Sequence, residues 1–236
     1  MECYSAWRPW SLVNLTPKHI NQLEECDVNF LRRLLDAERG TPIESFYLEL
    51  SIWPLRFILM ARKLMFYWTI LSKSDNELVK VVFNAQRDFP SQNDWISEVQ
   101  GVLKNCRIFN TDEEILNMSK NKFKKIVKEK IQLRVTSYLI GLQNKHSKSH
   151  KLKAGKEMQS YLKTEIISIS EKKTLFELRS KMLRIKSNFK TSHKNNLKCS
   201  LCLDETSTEN EDNLLSCPTV LNQLGNNIGN VKFEDV

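Results

Sequence analysis

The sequence predicts an all-α protein, and three observations carry that prediction. Six glycines and six prolines are few for 236 residues, whereas all-β folds need more turn residues than that. Apolar residues recur at helical spacing behind Ser, Thr, Asp and Pro start signals. No run alternates apolar with polar residues as a half-buried strand does, and no internal repeat is visible.

The elements follow in order. Thr16-Pro17 is an N-cap followed by proline at the first helical position. Ile20, Leu23, Phe30, Leu31, Leu34 and Leu35 then recur at roughly helical spacing, with Gly40 as the stop. Thr41-Pro42-Ile43-Glu44 repeats the start signal, now with glutamate at the capping-box position. Pro54 opens a third helix reaching about residue 72, and Ser74-Asp75-Asn76-Glu77 caps a fourth with Leu78, Val81 and Val82 inward. Asn93 or Asp94 starts a fifth around Trp95 and Val99. Thr111 and Ser119 open the second half. From there Phe123, Val127, Ile131, Val135, Tyr138, Leu139 and Leu142 form one stripe of a long amphipathic helix. Residues 144–156, NKHSKSHKLKAGK, are a polar basic linker. His146 and His150 stand i,i+4 there without an acidic or thiol partner, which favours a phosphate-contacting loop over a metal pair. Ser170-Glu171 caps a last helix carrying Leu175, Leu178, Met182 and Ile185.

Charge is distributed unevenly. Residues 118–198 hold 22 Lys and Arg against 5 Asp and Glu, while the remainder of the chain is net acidic. A block of one sign that large points to an anionic partner, with nucleic acid ahead of an acidic membrane surface. On the long helix, lysines three and four apart repel one another unless something neutralises them. The candidate phosphate contacts are Lys122, Lys124, Lys125, Lys128, Lys130, Arg134, Arg179, Lys181, Arg184, Lys186, Lys190 and Lys198. Trp53, Trp68 and Trp95 have faces able to stack on bases, but their apolar neighbours favour core burial.

The most apolar stretch, Leu55–Leu71, carries Arg56, Arg62 and Lys63. It is short and charged for a spanning helix, which needs about 20 largely uncharged residues, so it reads as a buried core helix. Met1–Trp10 lacks a basic n-region and apolar h-region. An intracellular protein, nuclear or cytoplasmic, with no membrane partner is therefore expected, and its six cysteines are expected to be reduced thiols or metal ligands. Cys3, Cys26 and Cys106 sit among apolar or helical neighbours and read as small core or surface residues.

The end of the chain differs. Cys199 and Cys202 form a Cys-x2-Cys pair, and Cys217 follows fourteen residues later. Structural zinc sites use four thiolate or imidazole ligands. Position 213, where a histidine would complete the set, holds Asn213, whose neutral amide oxygen is a poor zinc ligand. His193, Asp212 or water remains as the fourth ligand, and a metal-free, disordered tail is the opposing reading.

These residues together resemble the C-terminal region of reverse transcriptase polyproteins from non-LTR, LINE-like retrotransposons. The similarity covers nearly the whole chain, through LRRLLDAERGTPIESFYLELSIWPLRFILMARKLMFYWTIL (31–71), MSKNKFKKIVKEKI (118–131), HSK (146–148), LFELRSKMLRIKSNF (175–189) and the CSLC…LLSCP end. The segment at 31–71 is the most specific. The resemblance implies a helical thumb-like segment, a linker, and a Cys-Cys-His-Cys zinc knuckle that helps hold template RNA or target DNA. This chain departs at Asn213. It also lacks an Asp-Asp dipeptide, a Gly-rich phosphate loop and any Ser/His/Asp or Cys/His set of telling spacing. Polymerase activity is not expected of it without another chain carrying the palm.

The resulting expectation has three parts. Residues 12–110 are a helical, thumb-like bundle. Residues 111–198 add long basic helices, and 199–236 form a small, degenerate zinc-knuckle-like or disordered tail. The expected function is non-catalytic nucleic-acid binding, with RNA ahead of DNA. The alternatives are a helical module docking a polymerase palm or other protein through an exposed patch on Leu55–Leu71, or an unselected remnant of a mobile element.

Overall fold

The computed structural model describes residues 15–89, 94–108, 111–145, 152, 157–183, 185, 199, 202, 210, 213 and 216–219. Among them are nine α-helices and no strand, in keeping with the all-α class. They are α1 (Pro17–Leu34), α2 (Ile43–Leu50), α3 (Leu55–Leu71), α4 (Leu78–Asp88), α5 (Trp95–Cys106), α6 (Asp112–Leu116), α7 (Lys120–Gln143), α8 (Ser160–Lys163) and α9 (Ile169–Arg179). No helix among the described residues is long and apolar enough to cross a membrane.

Side-chain caps start five of the helices, α9 with Ser168 among them. Thr16 accepts from the His19 amide at 3.3 Å, Asp94 from Ser97 at 2.7 Å, Thr111 from Glu114 at 3.3 Å and Ser119 from Lys122 at 3.4 Å. Each bond satisfies one of the amides that a helix start leaves without an intrahelical partner. The structure departs from the sequence reading at several points, among them α2 and α4, whose N-caps Pro42 and Glu77 make no side-chain cap bond. α1 ends at Leu34, before Gly40, because Asp36 takes the left-handed conformation at φ 47°. Ser168, two residues ahead of the expected Ser170, caps α9 in a reciprocal box with Glu171. The four-residue α8 is too short to leave a periodic signal.

α3 is the hub, packing against α1, α4, α5, α6 and α7. It buries Leu55, Phe57, Leu59, Leu64, Tyr67, Ile70 and Leu71 around its circumference. Neighbouring helices satisfy both of its ends. Its N-cap, Pro54, makes no side-chain cap, and Glu24 of α1 instead accepts the Arg56 amide at 3.1 Å and Arg56 Nε at 2.7 Å. At the other end, buried Lys80 Nζ donates to the Leu71 carbonyl at 3.2 Å, a cation on the negative end of the helix. Buried Lys63 pairs with Glu98 at 2.5 Å.

α7 lays Phe123, Val127, Ile131, Val135 and Leu139 into the same core, and Tyr138 meets Phe57 edge-on at 5.4 Å. Burying each such side chain stabilises by about 1.5–3 kcal/mol. The core runs from Val28 of α1 through to Phe176 of α9, which packs on Phe46 of α2 at 5.3 Å. The expected boundary near residue 110 therefore does not divide the hydrophobic core.

A buried carboxylate ties the late helices to the early ones. Glu49 at the end of α2 is 1% exposed. Tyr161 donates to it at 2.7 Å, Arg179 Nε lies 3.0 Å from both its oxygens, and its backbone carbonyl accepts from the Gln159 amide at 3.0 Å. Burial, then the Glu49 charge, pushes the Tyr161 phenol far above its ordinary range. Tyr67 is raised by burial and by its bond to Asp112 at 2.6 Å.

Glu49→Ala removes the buried carboxylate that Tyr161 and Arg179 share and is expected to cost about 3–5 kcal/mol in urea denaturation. A phenol whose folded pKa is raised contributes stability in full below its unfolded value of about 10, and loses it as pH rises above that. Unfolding free energy is therefore expected to fall above about pH 10, and Tyr161→Phe to make that fall shallower.

Candidate nucleic-acid interface and metal centre

The buried stripe of α7 decides where its lysines go. With Phe123, Val127 and Ile131 held in the core, Lys122, Lys124, Lys125 and Lys128 are exposed and Lys130 is half-buried. Among the described residues, none of these five is in an ion pair. The cations of the later helices behave differently. Lys163 pairs with Glu157 at 2.6 Å, and Lys173 reaches Asp36 at 2.5 Å. Arg179, expected at the phosphate surface, is instead half-buried against Glu49, with its guanidinium 5.8 Å from the Tyr161 ring centroid. The reason is tertiary, because α9 packs back onto α2 and buries that end of the helix. Lys181 is half-buried in a left-handed turn at φ 54°. Arg134 is exposed, and its Nη1 donates to the Asn105 carbonyl at 2.7 Å, latching α7 to the end of α5. Arg184, Lys186, Lys190 and Lys198 lie outside the described residues, as do His146 and His150.

The packing of these helices also leaves a feature that the sequence reading missed. A cleft of about 1150 Å³ opens between α5, α6 and the start of α7. Lys104, Arg107 and Lys122 line it together with two carboxylates, Glu114 and Asp112, the latter paired with Arg87 at 3.3 Å. Lys104 and Arg107 belong to the half of the chain that is not basic. No local signal marks them, since only the packing of α5 on α7 brings them beside Lys122. Lys120 holds its ammonium 5.9 Å from the Trp68 ring centroid. Trp95 packs edge-on against Phe66 at 5.7 Å, as the core reading expects. Trp53 is half-buried, its indole Nε1 donating to Gln132 Oε1 at 2.7 Å.

The three tail cysteines converge. The sulfurs of Cys199, Cys202 and Cys217 all lie within 4.8 Å of one another, with Cys199 and Cys217 3.9 Å apart. A disulfide would require about 2.05 Å. Two sulfurs bound at about 2.3 Å to a tetrahedral zinc stand roughly 3.8 Å apart. Cys199 and Cys217 are buried and Cys202 is half-buried. Three soft sulfur donors at this spacing can hold a metal ion, and their chemistry suits zinc. Asn213 lies four residues before Cys217 and is half-buried. Its amide donates to Asn210 Oδ1 at 2.7 Å, and its carbonyl accepts from the Ser216 hydroxyl at 3.2 Å. His193 and Asp212 lie outside the described residues. Elsewhere, Cys26 is exposed, and burial raises the pKa of the Cys106 thiol.

No family model, no curated protein and no solved structure matches this chain.

Elemental analysis of the purified, reduced protein is expected to find one zinc per chain, lost on Cys202→Ser. Asn213→His is expected to tighten zinc by at least about tenfold, because imidazole replaces an amide oxygen. Zinc found only in the histidine variant would mean that the three thiols are insufficient.

Proposed function

We propose that this chain is a non-catalytic nucleic-acid-binding fragment of the retrotransposon reverse transcriptase type, which holds phosphate backbones on the outward face of α7. One observation carries the reading. Lys124, Lys125 and Lys128 share one exposed face of a helix whose other side is locked into the core, Lys122 stands exposed on the flank toward the α5–α6 cleft, and no described carboxylate pairs with any of the four. Like charges at that spacing cost free energy in the unbound protein. A polyanion removes that cost and releases its own condensed counterions.

Lysine ammonium groups contact phosphates as point charges, so binding of this kind is largely independent of sequence. The cleft residues Lys104 and Arg107 extend the cationic surface around the start of α7. Zinc held by Cys199, Cys202 and Cys217 would cross-link the tail. His193, Asp212 or water supplies the fourth ligand. RNA is favoured over DNA on the strength of the family resemblance.

A second reading, a protein-docking module, has its own observation. The expected apolar patch is not on Leu55–Leu71, because that helix is the buried hub. It lies on α4, where Leu78, Val82 and the C-cap Phe89 are 79%, 53% and 83% exposed along one face.

A salt titration against fluorescent RNA is expected to give a steep linear fall of log K with log salt. Replacing Lys124, Lys125 and Lys128 together by Glu should weaken binding to all sequences alike. It should also reduce the magnitude of the slope by about three, roughly one for each phosphate that no longer meets a lysine. A flat slope for the unmodified protein removes the proposal.

A further inference from the structure

A second groove, of about 720 Å³, runs between the corner joining α2 to α3 and the middle of α7. Its walls are mostly apolar. Ile52 and Trp53 form one side, and Leu133, Val135 and Leu139 form the other. Leu133 is 64% exposed on that wall. The indole is held in place by its bond to Gln132, so the ring is oriented before any ligand arrives.

The charges around the groove are ordered. Lys128 stands on its α7 wall, and Lys125 and Lys124 lie one helical turn further toward the N-terminus on the same side. Glu129 also lines the groove. A carboxylate there repels a phosphate, so a polyanion would keep its backbone on the lysine ridge. The part of a nucleotide suited to an apolar groove with an aromatic wall is the base, whose π-face stacks on tryptophan without regard to its identity.

We infer that this groove receives an unpaired base of a single-stranded nucleic acid, stacked on Trp53, while Lys128, Lys125 and Lys124 hold the adjoining phosphates. The inference rests on the phosphate-binding reading of α7 and adds a selection for single strands. A paired base stays within its own helical stack, so the groove contributes nothing to duplex binding.

The test compares a fluorescent single-stranded RNA with a duplex of the same length, by anisotropy at fixed salt. The unmodified protein is expected to prefer the single strand. Trp53→Ala should weaken single-strand binding roughly five- to hundredfold and leave duplex binding unchanged. Trp53→Phe, which keeps a stacking face, should restore most of the affinity. Leu133→Ser changes an exposed wall residue without disturbing the core, and should also lower single-strand affinity alone. The inference is overturned if Leu133→Ser and any folded Trp53→Ala protein bind the single strand as the unmodified protein does. It is equally overturned if they lose single-strand and duplex binding alike. A steep salt slope alongside either of those results removes the groove only; a flat slope removes the phosphate face beneath it.

Discussion

Everything on the surface of α7 follows from the burial of its other side. Five side chains, Phe123, Val127, Ile131, Val135 and Leu139, face α3 and the core that α3 organises. Rotating α7 by even a quarter turn would expose several of them, at about 1.5–3 kcal/mol each, and push lysines toward the core. That is far more than the few tenths of a kcal/mol by which a like-charged pair on a helix surface destabilises it. Packing therefore wins over electrostatics, and the lysines stay together on the outside. Their crowding is a by-product of the core that becomes useful once an anion is present.

The positions of the cations sort them into two kinds. Those on α7 point outward and are not ion-paired among the described residues. Those held against packed helices do structural work. Lys80 neutralises the carbonyl end of α3, Lys63 meets Glu98, and Arg179 meets Glu49. A buried or half-buried cation must have a partner, since an uncompensated one costs several kcal/mol. Net charge alone does not separate these kinds, because both count equally in the total.

The tail makes a similar point about donors. Three cysteines spaced like part of a metal site do converge, and their separation suits thiolates around one ion rather than a disulfide. Asn213, four residues before Cys217, offers only a neutral amide oxygen, a poor zinc ligand. The cluster therefore has three sulfur donors, and its affinity for a metal depends on whatever completes it.

Much was legible in the sequence by itself. The all-α class, the caps at Thr16, Thr111 and Ser119, a helix start at Asn93 or Asp94, the buried nature of Leu55–Leu71 and the apolar stripe of α7 are local properties, written in spacing and start signals a few residues long. The convergence of Cys199, Cys202 and Cys217 was also foreseeable from their spacing. Only the tertiary structure decided that Arg179 belongs to the core, that Lys104 and Arg107 stand beside Lys122, that α4 carries the exposed apolar face, and that Trp53 lines a groove with Leu133. Each of these depends on contacts between residues far apart in the chain, up to 130 positions for Arg179 and Glu49. Periodicity reports which face of a helix is apolar, but not which other helix that face will meet.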